Sequence, residues 1–181
     1  MRSFLLFLLA ATFSLSAAAK PSPESAREVI DFYFNGQEQG IVLVDVKLCA
    51  DVYSEGESKN ECKDELQPNA LEKGQSFMLW MAFMVPADMD PQKVTMHFNH
   101  KGEDLDVKTA SAASSLRYRT WRKVTLDRSG DWTLKISHDN GSDIELLKEL
   151  NIKVQPAAVE VAAQPEPAEV EAQPEPAGAE A

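Results

Sequence analysis

The segment at residues 77–85 is apolar on both faces of any strand that it forms. Its residues alternate as two apolar rows, one of Phe77, Leu79, Met81, Phe83 and Val85, the other of Met78, Trp80, Ala82 and Met84. Successive side chains of a strand point to opposite faces, and an antiparallel strand with one face in water alternates apolar with polar residues. We therefore expect both faces to be covered, by an N-terminal helix, a second sheet layer or another molecule.

Residues 116–136 have the pattern of two strands joined by a tight turn at Gly130. In the first strand, period two places one basic-aromatic row on a single face: Arg117, Arg119, Trp121 and Lys123. In the second strand, an apolar row of Trp132, Leu134 and Ile136 alternates with Thr133 and Lys135. This alternation predicts a sheet with one face in a core.

Further strands are predicted at residues 41–48, 94–98, 105–107 and 144–154, with a small-residue connector at 110–115. Asn140-Gly141 is a strong hairpin signal because this pair readily adopts two positive φ values. Ser22-Pro23 predicts the start of a short helix over residues 23–34. The prediction is a mainly β fold, an immunoglobulin-like antiparallel β-sandwich with a short N-terminal helix.

The two ends of the chain differ in composition from the predicted domain at residues 20–154. Residues 1–19 have the plan of a signal peptide, with Arg2, a short apolar run and small residues before Lys20. Residues 155–181 are rich in Pro, Ala, Glu and Gln, contain a nine-residue repeat and carry six glutamates with no basic residue. Such a composition predicts a disordered tail. We expect a periplasmic or secreted protein without membrane insertion after cleavage of the signal peptide.

The chain contains two cysteines, Cys49 and Cys62. In an exported protein they predict one disulfide, because the compartment is oxidising. The alternatives are a redox pair and a metal site, but the spacing is not Cys-x-x-Cys and no histidine is adjacent.

A resemblance to a known family is carried by Arg117-Tyr-Arg-Thr-Trp121, by Gly130-x-Trp132-x-Leu-x-Ile136 and by a final Leu150-x-Ile-x-Val154 strand. The segment from residue 42 to 154 resembles a family of exported bacterial domains of unknown function. Arg122 stands where that family commonly has a serine. The resemblance implies an envelope-associated, sandwich-like domain and assigns no catalytic residue.

The basic-aromatic row is the candidate binding site of the sequence. Arginine forks bind carboxylate or phosphate, and guanidinium groups stack on indole rings. A row of Arg117, Arg119, Trp121 and Lys123 therefore indicates a surface for an anion or a saccharide. The structural alternative is that the arginines pair with acidic residues such as Asp104, Asp106 or Asp127.

Other kinds of site find little support in the sequence. His97, His100 and His138 would need to converge to bind a metal, and surface or turn positions are favoured for them. We expect neither a metal nor another cofactor. The formal net charge of −11 disfavours nucleic-acid binding, since phosphate attraction requires basic surface. Because motifs for nucleophilic or phosphate chemistry are missing, an enzyme is not expected.

The sequence thus predicts an exported, non-catalytic binding or scaffolding domain of the bacterial cell envelope. The first alternative is a module that binds polysaccharide or another anionic polymer through the basic-aromatic row. The second is a hydrolase built from carboxylates that no motif reveals. An envelope protein or a saccharide polymer is the expected kind of partner, and the pattern does not indicate an oligomeric state.

Overall fold

A computed structural model describes residues 22–157. The predicted signal peptide, and the tail from residue 158 onward, lie outside these residues. The described chain has one helix, α1 (Pro23–Asn35), and a 3-10 turn at Gln37–Gln39. Nine strands follow: β1 (Val42–Val52), β2 (Cys62–Leu66), β3 (Leu71–Glu72), β4 (Ser76–Val85), β5 (Gln92–His100), β6 (Glu103–Ala112), β7 (Ser115–Thr125), β8 (Gly130–Asp139) and β9 (Ile144–Gln155).

The strands form two sheets. The four-stranded sheet has the order β2-β1-β4-β7 and is antiparallel throughout. The five-stranded sheet has the order β3-β9-β8-β5-β6. Its pairings are antiparallel except at the two-residue strand β3, which lies parallel to β9. The prediction of a mainly β fold with an N-terminal helix is confirmed, and one short parallel pairing is added to it.

One hydrophobic core lies between the two sheets. It receives the odd-numbered apolar row of β4, the alternate residues of β5 and the predicted row of β8. The largest side chains in these rows are fully buried: Phe77, Phe83, Met96, Phe98, Leu134 and Ile136. Their burial is the main favourable contribution to folding, at about 25 cal/mol per Å² of apolar surface removed from water.

Strand β6 is longer than the sequence predicts. A short strand at residues 105–107 and a connector at 110–115 were expected, but β6 continues to Ala112. The reason is packing, since Ala110 and Ala112 are buried in the common core and lie opposite Val94 and Gln92 of β5. Small residues that suggest a loop here allow a strand to approach the core closely.

Helix α1 lies at the periphery of the domain. Ser22 caps it by accepting a hydrogen bond from the Ser25 amide at 3.1 Å. No residue of the helix is buried. Its contacts with the sheets include the Ala87 amide, which donates to the Tyr33 carbonyl at 2.7 Å. Among the described residues, no helix has the length and hydrophobicity that crossing a bilayer requires.

Arg122 connects the edges of the two sheets. Its Nε donates to the Thr109 carbonyl of β6 at 2.6 Å, and a terminal nitrogen donates to the Trp121 carbonyl at 2.8 Å. Strands β6 and β7 are both edge strands. The side chain therefore occupies backbone acceptors that an edge strand would otherwise offer to another chain.

Candidate functional site

The outer face of the four-stranded sheet carries a second, smaller apolar cluster. Its buried members are Cys49, Val52, Trp80 and Ala82, with Cys62, Met78 and Trp121 packed around them. The predicted disulfide between Cys49 and Cys62 is confirmed, and it links the neighbouring strands β1 and β2 of this sheet. The even-numbered row of β4 is thus covered by the chain itself.

The loop between β1 and β2 completes this cover. The Trp80 indole N–H donates to the Asn60 carbonyl at 2.7 Å, and Trp80 is only 1% exposed. A buried indole is stable when its N–H has a partner of this kind. Both faces of β4 are therefore covered as predicted, although Met78 and Met84 are only half-buried. The second sheet covers the inner face, whereas the disulfide-linked hairpin, which was not among the expected covers, covers much of the outer face.

The basic-aromatic row of β7 lies on the same outer face. Arg119 is 2.7 Å and Arg117 is 3.4 Å from the two carboxylate oxygens of Glu61, at the end of the β1–β2 loop. Pairing with Asp104, Asp106 or Asp127 was the structural alternative, and the acidic partner is instead Glu61. Trp121 is half-buried in the small cluster, and Lys123 is exposed. One carboxylate thus shares the two guanidinium groups.

A second ion pair lies on this face. Lys47 Nζ is 3.1 Å from a Glu65 carboxylate oxygen and 3.8 Å from one of Asp45. The hydrogen bond to Glu65 raises the pKa of Lys47 above its ordinary value, and burial opposes that effect only in part. The outer face of this sheet therefore carries ion pairs around a covered apolar cluster, and Arg119 Nε is buried there without a hydrogen-bond partner among the described residues.

Charge reversal at Arg119 tests whether this row is structural. We expect Arg119→Glu to lower the free energy of unfolding by about 1 kcal/mol, because it places a carboxylate beside Glu61 in a partly shielded site. Chemical denaturation measures the change. Lys123→Glu is the matched control on the same strand, since Lys123 makes no ion pair within residues 22–157. Equal stability of the two variants would contradict a structural role.

The outer face of the five-stranded sheet differs in its chemistry. The pairing register of the strands places a polar row from each of three strands on this face. These rows are Asp131, Thr133, Lys135 and Ser137 of β8, Thr95, His97 and Asn99 of β5, and Asn151 and Lys153 of β9. The row of β8 faces away from the core because Trp132, Leu134 and Ile136 face into it. This face carries hydroxyl, amide and charged groups side by side, together with the exposed apolar side chains of Val107 and Leu146.

Two concave regions follow strand β8 on this face. The larger, of about 650 Å³, lies between β8, β9 and the loop at residues 67–69. The smaller, of about 440 Å³, lies beside it along β8 and reaches β5. All four outward residues of β8 line one region or the other: Asp131, Thr133, Lys135 and Ser137. We refer to the two regions together as the β8 groove.

The rim of the larger region is held in place by backbone contacts. The Lys153 amide donates to the Pro68 carbonyl at 2.8 Å. The Gln155 side chain donates to the Asn69 carbonyl at 3.2 Å. The loop at 67–69 is thereby fixed against β9, so this part of the groove is formed before any ligand binds.

The polar side chains in the groove differ in whether they already have a hydrogen-bond or ion-pair partner within the protein. His97 lies 3.2 Å from Asp104, the Asn99 amide donates to Asp104 at 3.3 Å, and Lys135 lies 3.8 Å from Glu149. In the larger region, the side chains of Thr133, Asn151 and Lys153 make no hydrogen bond or ion pair within the described residues. The larger region therefore offers donors and acceptors to a ligand.

The three histidines do not converge. His97 lies on the outer face, whereas His100 and His138 point into the interior and are buried, so the expectation of surface or turn histidines is wrong for these two. His100 packs against the Trp132 ring, with ring centres 4.9 Å apart. Residues 22–157 contain no group of three or more His, Cys, Asp or Glu side chains arranged to hold a metal ion.

Comparisons with known proteins leave the family open. No family model matches the chain. A 96-residue stretch is 27% identical to human Tribbles homolog 3, and the match spans 51% of this chain and about a quarter of that protein's length. Among solved structures, the C-terminal domain of wzt is similar with a TM-score of 0.44 and 16% identity, over 64% of this chain and 74% of that chain. Neither similarity identifies a ligand.

Proposed function

We propose that this domain is a non-catalytic module of the cell envelope that binds a polysaccharide in the β8 groove. The observation that carries the proposal is the preformed groove along β8, whose larger region offers unengaged polar groups. Binding sites are typically concave, largely preformed and equipped with a few placed polar groups. The proposal moves the binding surface from the basic-aromatic row to the opposite sheet.

The chemistry of the groove suits a saccharide. Sugar hydroxyls both donate and accept hydrogen bonds, and the larger region offers a hydroxyl at Thr133, an amide at Asn151, a carboxylate at Asp131 and an ammonium at Lys153. These four groups can pair with sugar hydroxyls, and the apolar side chains of Trp132 and Ile152 line the same region.

The dimensions of the groove suit a polymer. From Asp131 to Ser137 the outward row of β8 extends over about 20 Å, at about 3.3 Å per residue. A ligand that contacts both regions of the groove lies along the strand. An extended chain fills such a groove, whereas a single sugar fills one part of it.

The basic-aromatic row is the less favoured surface for this function. Arg117 and Arg119 already share the Glu61 carboxylate, and the Trp121 ring packs on the small cluster. A polyanion would have to displace Glu61 before either arginine became available. The row remains the candidate for an anionic polymer, and the experiment below separates the two surfaces.

A hydrolase is also less favoured than a binding module. Glycosidases require two carboxyl groups that flank the bond to be cleaved. The larger region contains the carboxylate of Asp131, and the smaller contains Asp104, which already contacts His97 and Asn99. Each region thus contains a single acidic residue, so neither region alone presents a flanking pair of carboxyl groups.

We further infer that the fold is immunoglobulin-like. The chain crosses between sheets five times, after β2, β3, β4, β6 and β7, so that β4 and β7 are neighbours in one sheet while β5 and β8 are neighbours in the other. Such crossovers are typical of Greek-key sandwiches. The resemblance to exported bacterial domains of unknown function agrees with this topology, and the disulfide supports a periplasmic or secreted location.

The test compares binding of purified envelope polysaccharides, neutral and anionic, to the wild-type domain and three double variants. Thr133→Ala/Asn151→Ala removes facing side chains of the larger region. We expect it to weaken polysaccharide binding by about tenfold or more, since each lost hydrogen bond contributes about 1 kcal/mol. Affinity electrophoresis or calorimetry measures the loss.

The matched control is Thr95→Ala/Thr109→Ala, an outward pair on the same sheet that lies beside the groove. It is expected to bind like the wild type. Binding that survives Thr133→Ala/Asn151→Ala but is abolished by Arg117→Ala/Arg119→Ala would transfer the function to the basic-aromatic row. Absence of binding to every polysaccharide would overturn the proposal.

A further inference from the structure

A separate polar pocket lies where the 3-10 turn, the start of β5 and the β8–β9 hairpin meet. It has a volume of about 290 Å³. Its lining includes the carboxylates of Glu38 and Glu145, the His138 ring and the backbone at Gly40. It contains no lysine or arginine. With two carboxylates in its lining, the pocket carries a net negative charge.

His138 is the unusual member of this pocket. Its side chain is only 1% exposed, yet Nδ1 has no hydrogen-bond partner in the protein. A buried polar atom without a partner destabilises the folded protein. Nδ1 faces the pocket, because it lies 4.0 Å from a Glu145 carboxylate oxygen and a Cβ at Gly40 would lie 3.9 Å from it.

The other ring nitrogen determines what Nδ1 can accept. His138 Nε2 lies 2.9 Å from the side-chain oxygen of Gln92, which can only accept a hydrogen bond. Nε2 therefore carries the proton in the neutral ring, and Nδ1 presents a lone pair. The unpartnered atom requires a donor.

Two of the four side-chain amides that line the pocket donate to carbonyls elsewhere. The Gln92 side-chain nitrogen donates to the Asp90 carbonyl at 2.6 Å. The Gln37 side-chain nitrogen donates to the Phe34 and Ala87 carbonyls at 2.9 and 3.1 Å. The amides of Gln39 and Asn140 also line the pocket, beside three acceptors, which are the lone pair of Nδ1 and the carboxylates of Glu38 and Glu145.

We propose that this pocket binds a primary ammonium group, held between His138 Nδ1 and the Glu145 carboxylate. The two acceptor atoms are 4.0 Å apart. Nδ1 is buried, whereas the Glu145 side chain is mostly exposed. Glu145 therefore moves aside to admit an ammonium nitrogen at about 2.8–3.0 Å from both atoms, which donates one N–H to each. Its positive charge is balanced by carboxylate, as a partly buried cation requires.

A divalent metal ion fits the pocket less well. Zinc sites use three or four protein ligands, whereas residues 22–157 contain no such cluster of three His, Cys, Asp or Glu residues. A single hydroxyl donates to only one of the two acceptors, whereas an ammonium group has three N–H donors. The chemistry therefore favours an amine, either on an amino sugar or on a lysine side chain.

The test is NMR titration of the ¹⁵N-labelled domain at neutral pH, where the amino group of an amino sugar is still mostly protonated. The amine probes are glucosamine and a lysine amide that is acetylated on its α-nitrogen, so that its side-chain amine stays free. N-acetylglucosamine is the probe without an ammonium group. Zn²⁺ is added alone in a further titration. We expect a saturable shift of the His138 ring nitrogens with at least one amine, and no shift with N-acetylglucosamine. The amine that binds more tightly identifies the source.

Glu145→Gln is the informative variant, since the side chain is mostly exposed and the substitution retains its shape. It should weaken amine binding by about tenfold, as expected for loss of a charged partner. Glu149→Gln, on the same strand and paired with Lys135, is the matched control and should bind like wild type. Equal amine binding by both variants, shifts with Zn²⁺ alone, or no shift with either amine would overturn the proposal.

These outcomes are independent of the β8 groove. The Thr133→Ala/Asn151→Ala variant leaves every residue of the ammonium pocket unchanged. It should therefore bind the amine normally even where it has lost polysaccharide, and loss of amine binding in this variant would also contradict a separate site.

Discussion

Trp80→Ala is expected to lower the free energy of unfolding by about 3–5 kcal/mol, the usual cost of removing a fully buried tryptophan. The ring is the largest member of the small cluster on the outer face of the four-stranded sheet. Its loss leaves a cavity beneath the β1–β2 loop and removes the hydrogen bond to Asn60. Urea denaturation followed by far-ultraviolet circular dichroism measures the change.

Trp80→Phe is the matched control for this prediction. It retains an aromatic ring but removes the N–H that donates to the Asn60 carbonyl. We expect a smaller loss, because an aromatic ring still fills most of the space and one hydrogen bond contributes about 1 kcal/mol. A loss below about 1 kcal/mol for Trp80→Ala would show that the loop does not cover this face.

The second large effect concerns the disulfide. Replacing both Cys49 and Cys62 with serine is expected to lower the free energy of unfolding by about 3 kcal/mol, mainly because the unfolded chain regains the freedom of a closed loop. The same change loosens the loop that carries Asn60 and Glu61, so Trp80 should become more exposed. Its fluorescence should shift to longer wavelength, while the core between the sheets stays folded.

Reduction of the wild-type protein provides the control for the serine variant. It should reproduce both the stability and the fluorescence of that variant, since the same link is removed without a change of sequence. A serine variant as stable as the wild-type protein would mean that the loop is held by Trp80 and Glu61 alone. Loss of all folded structure would mean instead that the bridge supports the core between the sheets.

Much of the fold could be predicted from local sequence patterns. The alternation of Trp132, Leu134 and Ile136, and the Asn140-Gly141 turn, report directly on one face of a strand and on one hairpin. The double apolar pattern of β4 correctly predicts that both of its faces are covered. Such features depend on neighbouring residues, which is why they can be read from the sequence.

The pairing partners could not be predicted in this way. Glu61 contacts Arg117 across 56 positions of the chain, and its acidic loop shows no local sign of the contact. Likewise, the rim of the β8 groove arises because the loop at 67–69 is bound to the last strand. The positions of Thr133 and Lys135 show in the sequence which side of β8 faces outward. The sequence does not show that the loop at 67–69 lies beside this strand and forms the wall of the groove.

The resemblance to exported bacterial domains and the absence of catalysis stay predictions. The same holds for the basic-aromatic row as a ligand site. What the structure adds is a physical reason to look at the other sheet first, because the guanidinium groups of Arg117 and Arg119 already have a carboxylate partner, whereas the larger region of the β8 groove has polar groups without one.

The most direct measurement is a ¹H–¹⁵N correlation spectrum of the domain recorded as an envelope oligosaccharide is added. We expect the amide signals of Thr133, Asn151 and Lys153 to shift in a saturable way, together with those of residues 67 and 69. The amide signals of β7 should not shift. Shifts confined to β7, at Arg117, Arg119 and Trp121, would contradict it and would place the binding surface on the four-stranded sheet.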